Sequence, residues 1–357
     1  MSTSFSVLFV FCCSLISLFA FRKIAKRAGL VDKPNERKLH IGQVPLIGGV
    51  SVYFSLMVTL FFTFPITDSI LLYIGCSSIL IVLGALDDRF DLSFKSRLIV
   101  QAGISLAMIL VGYKSLHYLG TMFTSDGFTI PTYLSYIVTI LAVVGSINAF
   151  NMVDGIDGLL GGLASVTFGA LGYMFYFVGH LELAHFCLMF VIAIVPYILL
   201  NLGIPFGRRF KVFMGDAGSM FIGFTVIWLL IEASQNQQDA VIRPVTALWF
   251  IALPLMDMVC IMSRRIKKGQ SPFKPDREHL HHICQRVGMS PTISLFFICS
   301  LAAFMAFIGI WSELHSVSEN VMFVLFLLVF AMYYFAVSHV WRITTFLHKH
   351  LKITKSL

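Results

Sequence analysis

Charge is what this chain lacks: acidic and basic residues fill 12% of its 357 positions, against about 25% in an ordinary soluble domain. With 58% of residues hydrophobic and a mean hydropathy of +0.87, a water-soluble globule is excluded, and so is a soluble basic module able to hold nucleic acid. Cysteine is present without a framework. There is no CxxC pair; Cys12, Cys13, Cys76, Cys187, Cys260 and Cys299 lie in apolar stretches, and only Cys284 falls in a polar loop. That excludes a thiolate zinc ribbon or a disulfide scaffold, and buried thiols behave as small hydrophobes. The first apolar run, 5–21, has no positive charge before it and Arg22, Lys23, Lys26 and Arg27 after it, the wrong polarity for a cleaved signal peptide. Low-complexity tracts and usable internal repeats are missing as well.

What is there is a succession of apolar runs near the roughly 20 residues that cross a bilayer. They fall at 5–21, 45–64, 69–86, 98–113, 133–150, 159–179, 184–202, 218–234, 244–262, 293–311 and 320–338. The expectation is an all-α, polytopic integral membrane bundle of about 11 helices forming a single domain over 1–357. An odd number of spans puts the termini on opposite sides. Segments 22–44, 87–97, 203–217, 263–292 and 339–357 hold 24 of the 26 Lys and Arg, and the other side has only Lys114 and Arg243. Basic loops stay in the cytoplasm, so the N-terminus is expected outside and the C-terminus inside. The net charge of +8 then belongs to the cytoplasmic face. It serves either topology and attraction to anionic headgroups or an electrostatic funnel for a polyanionic substrate.

Acidic residues avoid the centres of the runs and gather at their cytoplasmic ends, whereas an ion-coupled transporter more often buries carboxylates near the midplane. The third run ends in Asp87, Asp88, Arg89, Phe90, Asp91, followed by Lys95 and Arg97. Paired acids beside cations suit proton handling around a phosphate and its divalent metal; a charge-balanced solvated loop has the same composition. The fifth run ends in NAFNMVDGIDG, 148–158. Polar residues every third position drift by about 60° per step around a helix, so Asn148, Asn151 and Asp154 share a broad face while Asp157 stands nearly opposite Asn148. A capped helix end is the plainer reading. KVFMGDAGS, 211–219, places Asp216 where it would cap the eighth helix or, beside free N–H groups, help form a metal and diphosphate site.

In 263–292, Asp276 is expected to cap a short helix ended by Gly288, with His279, His282 and Arg286 along one stripe suited to a phosphate. Zinc is disfavoured because neither HExxH spacing nor a Cys set appears. Asp257, inside the ninth run, is expected to pair with Arg264 or Arg265. Pro196 and Pro254 read as kinks.

Taken in order, GLVDKPNERKLHIGQVPLIGG at 29–49, DDRFDLSFKSR at 87–97, NAFNMVDGIDG, KVFMGDAGS and DREHLHH at 276–282 resemble the polyprenyl-phosphate N-acetylhexosamine-1-phosphate transferases. Five motifs match in order over nearly the whole chain. Relatives that use UDP-MurNAc-pentapeptide carry three consecutive histidines; here Leu280 interrupts the series. That departure argues against the pentapeptide substrate; within the family the chain looks most like the bacterial branch that starts enterobacterial common antigen and many O antigens, although another UDP-N-acetylhexosamine stays open as donor.

The resemblance implies an enzyme of the bacterial inner membrane with a cytoplasmic cleft. It would use Mg²⁺ or Mn²⁺, take UDP-GlcNAc and undecaprenyl phosphate, and release UMP. Membrane lipids are its other partners, and a homodimer is left open. By matching position, Asn151 and Asp216 would hold the metal, and Asp87, Asp88 and Lys95 would act at the lipid phosphate. His279, His281 and His282 would hold the donor diphosphate. Arg97, Asn148, Asp154, Asp157 and Lys211 complete the candidate substrate-contacting set; whether Asp154 and Asp157 touch metal, uridine or neither stays open. Direct displacement is the simpler mechanism, with a covalent intermediate on Asp88 or Asp216 as the alternative. A flippase or a membrane scaffold would leave this constellation unexplained.

Overall fold

The computed structural model describes residues 3–32, 42–236, 239–272 and 278–339. Asp276 and residues 33–41 of the first loop motif lie outside the described residues. All eleven apolar runs fold as helix. They are α1 (Thr3–Ala28), α2 (Gly48–Thr63), α3 (Asp68–Phe90), α4 (Phe94–Leu110), α5 (Thr132–Met152), α6 (Leu159–Val178), α7 (Leu181–Asn201) and α8 (Gly215–Gln235). A broken pair follows, α9 (Pro244–Phe250) and α10 (Ala252–Lys267), then the short α11 (Leu280–Arg286), α12 (Pro291–Leu314) and α13 (Glu319–Ser338).

Eight of these helices are long and apolar enough to cross a membrane, and the pair α9–α10, bent by 79°, raises that to nine. The sequence suggested eleven. The two short members are α2 and α4, with 16 and 17 residues. At about 1.5 Å per residue they fall short of the roughly 30 Å hydrocarbon core. Helix starts follow local chemistry: the hydroxyls of Thr67, Ser93, Ser290 and Ser318 accept from the amides of Ile70, Ser96, Ile293 and Val321, which satisfies donors with no partner inside the helix.

The central element is α8, nearly all of it buried, with α2, α3 and α5 packed around it. Between apolar helices in lipid, small residues allow the close approach that packing requires. A Cβ on Gly49 would lie 2.1 Å from the Gly218 Cα, and one on Gly84 would lie 2.3 Å from the Ala217 Cα. These contacts press α2 and α3 onto the first turn of α8.

A two-stranded antiparallel ribbon, β1 (Val31–Asp32) and β2 (Val44–Pro45), continues into the segment before α8. Phe213 N donates to Pro45 O, Gly48 N to Phe213 O and Gly49 N to Met214 O, each at 2.9 Å. The first-loop motif, chemically mute in the sequence, thus holds the approach to α8 by backbone pairing.

Loops sort to two ends. At one, Arg22 donates to Arg209 O, Lys211 pairs with Asp157 and His281 packs on Gly155. At the other, Lys114 pairs with Glu232, Arg243 with Glu313, and Thr121 N donates to Glu319. This is the alternation expected of loops on opposite membrane faces.

Candidate active site

The ends of α3 and α5, the segment 153–158, the start of α8 and one side of α11 enclose a cleft of about 820 Å³. Among the described residues its lining includes Asp32, Asp87, Asp88, Asp91, Asp154, Asp157 and Asp216, with Lys211 the one Lys or Arg. One of the two readings of the net charge, a funnel for a polyanion, finds no expression on the described cleft wall. Seven carboxylates facing one lumen repel each other and repel a phosphate. Such a surface binds anions only with cations between.

Asp87 is buried and fully engaged: Oδ1 accepts from Leu92 N at 2.8 Å, and Oδ2 is ion-paired with Arg97. Arg97 also stands 3.6 Å from Asp216 Oδ2, so one guanidinium ties the α3–α4 turn to α8. Asp88 reaches the N-terminus of α8, accepting from Asp216 N at 2.9 Å and Ala217 N at 3.4 Å. The expectation that these amides are free for a diphosphate is corrected here, because Asp88 occupies them. Asp216 lies inside the first turn of α8, whose N-cap residue is Met214, so Asp216 is not the cap.

Asn151 Nδ2 donates to Asp216 Oδ1 at 2.7 Å and to Ser219 Oγ at 2.8 Å. Its amide oxygen therefore points elsewhere, as a hard-cation ligand requires. Among the described residues no group of three or more His, Cys, Asp or Glu is placed to form a closed metal cage. Asn151 and Asp216 are the residues here that could hold a divalent cation by one or two protein oxygens.

Asp154 is exposed on the cleft lumen, where it faces the charges of Asp216 and Asp157. Asp157 Oδ2 accepts from Lys211 Nζ at 2.6 Å. Asn201 at the end of α7 supports both loops: Oδ1 accepts from Gly158 N at 2.5 Å and Nδ2 donates to Val212 O at 2.8 Å. Sequence reasoning missed Asn201, although a lone amide ending an apolar run is the same signal that singled out Asn151. It also missed Gln285, which lines the cleft on α11.

Five candidates stand apart from the lining: Lys95, Arg97, Asn148, His279 and His281. Lys95 is exposed on the first turn of α4. Asn148 turns toward α4, donating to Gln101 Oε1 and Val144 O, both at 2.8 Å.

The histidines do not form the expected stripe, because α11 begins only at Leu280. His282 lines the cleft, while His279 and His281 are buried. Asp257, expected beside Arg264 or Arg265, accepts instead from His279 Nδ1 at 2.7 Å, Leu280 N at 3.1 Å and Tyr333 OH at 2.7 Å. Arg264 turns to Glu278 at 2.9 Å, and Arg265 donates to Pro272 O at 2.5 Å. Burial, then the neighbouring His282 and His279, lower the His281 pKa to about 3, so this ring is neutral at physiological pH. Cys284, placed in a polar loop by the sequence, is buried in α11.

Residues 70–234 match the family described as Glycosyl transferase family 4. The chain is 48% identical over 354 residues to the undecaprenyl-phosphate alpha-N-acetylglucosaminyl 1-phosphate transferase of Escherichia coli (strain K12), covering 98% of this chain and 95% of that one. It is 47% identical to the Yersinia pestis protein of the same name, again covering 98% of this chain and 95% of that one. The Haemophilus influenzae protein of that name is 42% identical, with 99% of each chain covered.

Proposed function

The chain belongs to the family of the undecaprenyl-phosphate alpha-N-acetylglucosaminyl 1-phosphate transferases, within glycosyl transferase family 4, and from that premise we propose that it moves N-acetylglucosamine 1-phosphate from UDP-GlcNAc to undecaprenyl phosphate, releasing UMP. We place the reaction in the acidic cleft, at the cytoplasmic face of a bacterial inner-membrane protein of eleven spans and one domain. The observation that carries this reading is the convergence of Asp87–Asp88, Asn151, Asp154–Asp157, Lys211, Asp216 and His282, from distant parts of the chain, on one lumen.

The chemistry joins two anions. A phosphate monoester has a second pKa of about 6, so the attacking oxygen of the lipid phosphate is already ionised at neutral pH and needs no strong base. It adds to the phosphorus that carries the sugar. The bond from that phosphorus to the bridging oxygen breaks, and UMP departs. Asp87 and Asp88 then act as anchors: one fixes Arg97, the other fixes the first turn of α8. A covalent intermediate on Asp88 would cost the two amide contacts that hold Asp216 in place, which favours direct displacement.

Arg97 and Lys211 supply fixed positive charge on either side of Asp216 and Asp157. Asn151 and Asp216 are the residues that would hold Mg²⁺ or Mn²⁺, which when bound offsets charge on the transferring phosphate. His282 and Lys211 face the donor.

The test is product formation by purified protein from undecaprenyl phosphate and a panel of UDP-sugars. Lipid-linked sugar and stoichiometric UMP with UDP-GlcNAc are expected. Product only with another UDP-N-acetylhexosamine would replace the donor, and no product with any of them would overturn the reading.

A further inference from the structure

We propose that His279 and His281 are positioning residues that fix the acidic segment 153–158 by wedging the His281 ring against Gly155, and that of the three histidines only His282 meets the nucleotide-sugar. The assignment of His282 rests on the transferase reading of the cleft; the wedge rests on packing.

The wedge begins at a clamp built from three helices. Asp257 of α10 is buried, and both its oxygens are used. Oδ2 accepts from His279 Nδ1 at 2.7 Å, and Oδ1 accepts from Tyr333 OH of α13 at 2.7 Å and from Leu280 N at 3.1 Å. With Nδ1 given to a carboxylate, the His279 ring has one tautomer and one orientation. The His281 ring lies nearly parallel to it, with an interplanar angle of 4° and centroids 5.7 Å apart, and the His282 ring covers it from another direction at 4.2 Å. Held between two rings, His281 has little freedom to turn.

Its free edge meets Gly155. A Cβ at that position would lie 2.0 Å from His281 Nε2 and 2.3 Å from Cε1. Gly155 is not among the left-handed glycines, so space for the ring, rather than backbone freedom, is what glycine provides. The segment seated on the ring carries Asp154 and Asp157, both in the cleft lining, and Asp157 in turn fixes Lys211. Motion of His281 would therefore displace one whole wall of the cleft without His281 itself touching the substrate.

A double-mutant cycle tests this in full-length protein in detergent or nanodiscs. Gly155→Ala and His281→Ala should each slow transfer at least about tenfold. Together they should be no slower than His281→Ala alone, because the added methyl fills space the ring has left; residues in contact couple in this way. Should Gly155→Ala fail to accumulate, the double variant must restore accumulation. Amide hydrogen exchange at 153–158, measured without substrate, should rise about tenfold in His281→Ala and in Asp257→Asn and by less in His282→Ala, which removes only one of the two rings that hold His281. His282→Ala should instead raise the KM for UDP-GlcNAc.

A double variant that loses the product of the two single losses, or unchanged exchange in His281→Ala, would overturn the proposal. Wild-type protein inert toward every UDP-sugar would sink the proposed function and the role of His282, while the exchange result would still judge the wedge.

Discussion

Asp88 gives the sharpest separation between a residue that reacts and one that holds. Its carboxylate accepts from Asp216 N at 2.9 Å and Ala217 N at 3.4 Å. Asp88→Asn preserves shape but offers one oxygen and one NH₂ to two amide donors. Leaving one N–H unsatisfied costs about 1–3 kcal/mol, and removing a charge from a partly buried helix N-terminus costs up to about 2 kcal/mol more. A combined loss of roughly 3 kcal/mol corresponds to about a hundredfold in rate if it is felt in the transition state. Because Asp216 sits on the turn that Asp88 anchors, the half-saturating Mg²⁺ concentration should rise as well, by about tenfold for each 1.4 kcal/mol of misplacement.

The assay is UMP release at saturating substrates across a Mg²⁺ titration, with Asp91→Asn as the companion. Asp91 lines the same cleft but caps α3 in the left-handed region at φ 51°, which Asn tolerates, so its removal tests net charge alone. A slowed Asp88→Asn enzyme with wild-type Mg²⁺ dependence would refute the anchor and place the carboxylate on the reacting groups. Equal shifts in Mg²⁺ dependence for both variants would refute it in favour of net cleft charge.

Three further outcomes are expected. Asp216→Asn keeps size and removes a charge from a hard-cation site; UMP release should fall to background with partial recovery at high Mg²⁺, and wild-type turnover would remove Asp216 from the metal. Single cysteines in 263–292 should resist an impermeant thiol reagent in intact cells, and one near Lys114 should react; labelling of the histidine segment from outside would invert the topology. The third outcome concerns pH. The pKa of His281 is lowered from 6.5 to about 3 in the folded protein, so the unfolded chain binds the extra proton between those values. Its contribution to stability is complete above about pH 6.5 and is lost as pH falls toward 3, on the order of 5 kcal/mol in all. Unfolding followed by tryptophan fluorescence from pH 7.5 to 4.5 should show a shallower decline in His281→Ala. Parallel curves would show that His281 is not held neutral.

Much of this molecule is decided along the chain itself. Apolar runs must become helices in lipid, because an unpaired backbone group there has no water to satisfy it. The Lys and Arg asymmetry predicts which loops share a membrane face, and the contacts of the described loops fall at two ends. The polar ends of the runs named most of the cleft, including Asp87, Asp88, Asn151, Asp154, Asp157 and Asp216, because a carboxylate or amide closing an apolar helix is too costly to be incidental. Spacing along one helix, however, says only which way a side chain leaves its own axis. Which group it meets depends on how separate helices are brought together, and small residues such as Gly84 and Gly49 set that distance.

Asp88 finds its partner 128 residues away. Asp257, whose nearest cations in sequence are Arg264 and Arg265, bonds instead to His279 and to Tyr333, 22 and 76 residues on. The same limit hid the division among the histidines. Three rings within four residues look alike in the sequence, and only the clamp from α10 and α13 turns two inward and leaves one in the cleft. Residue type and membrane side are local properties, carried by side-chain chemistry and transfer free energy. The partner of each charge is a property of the packed bundle.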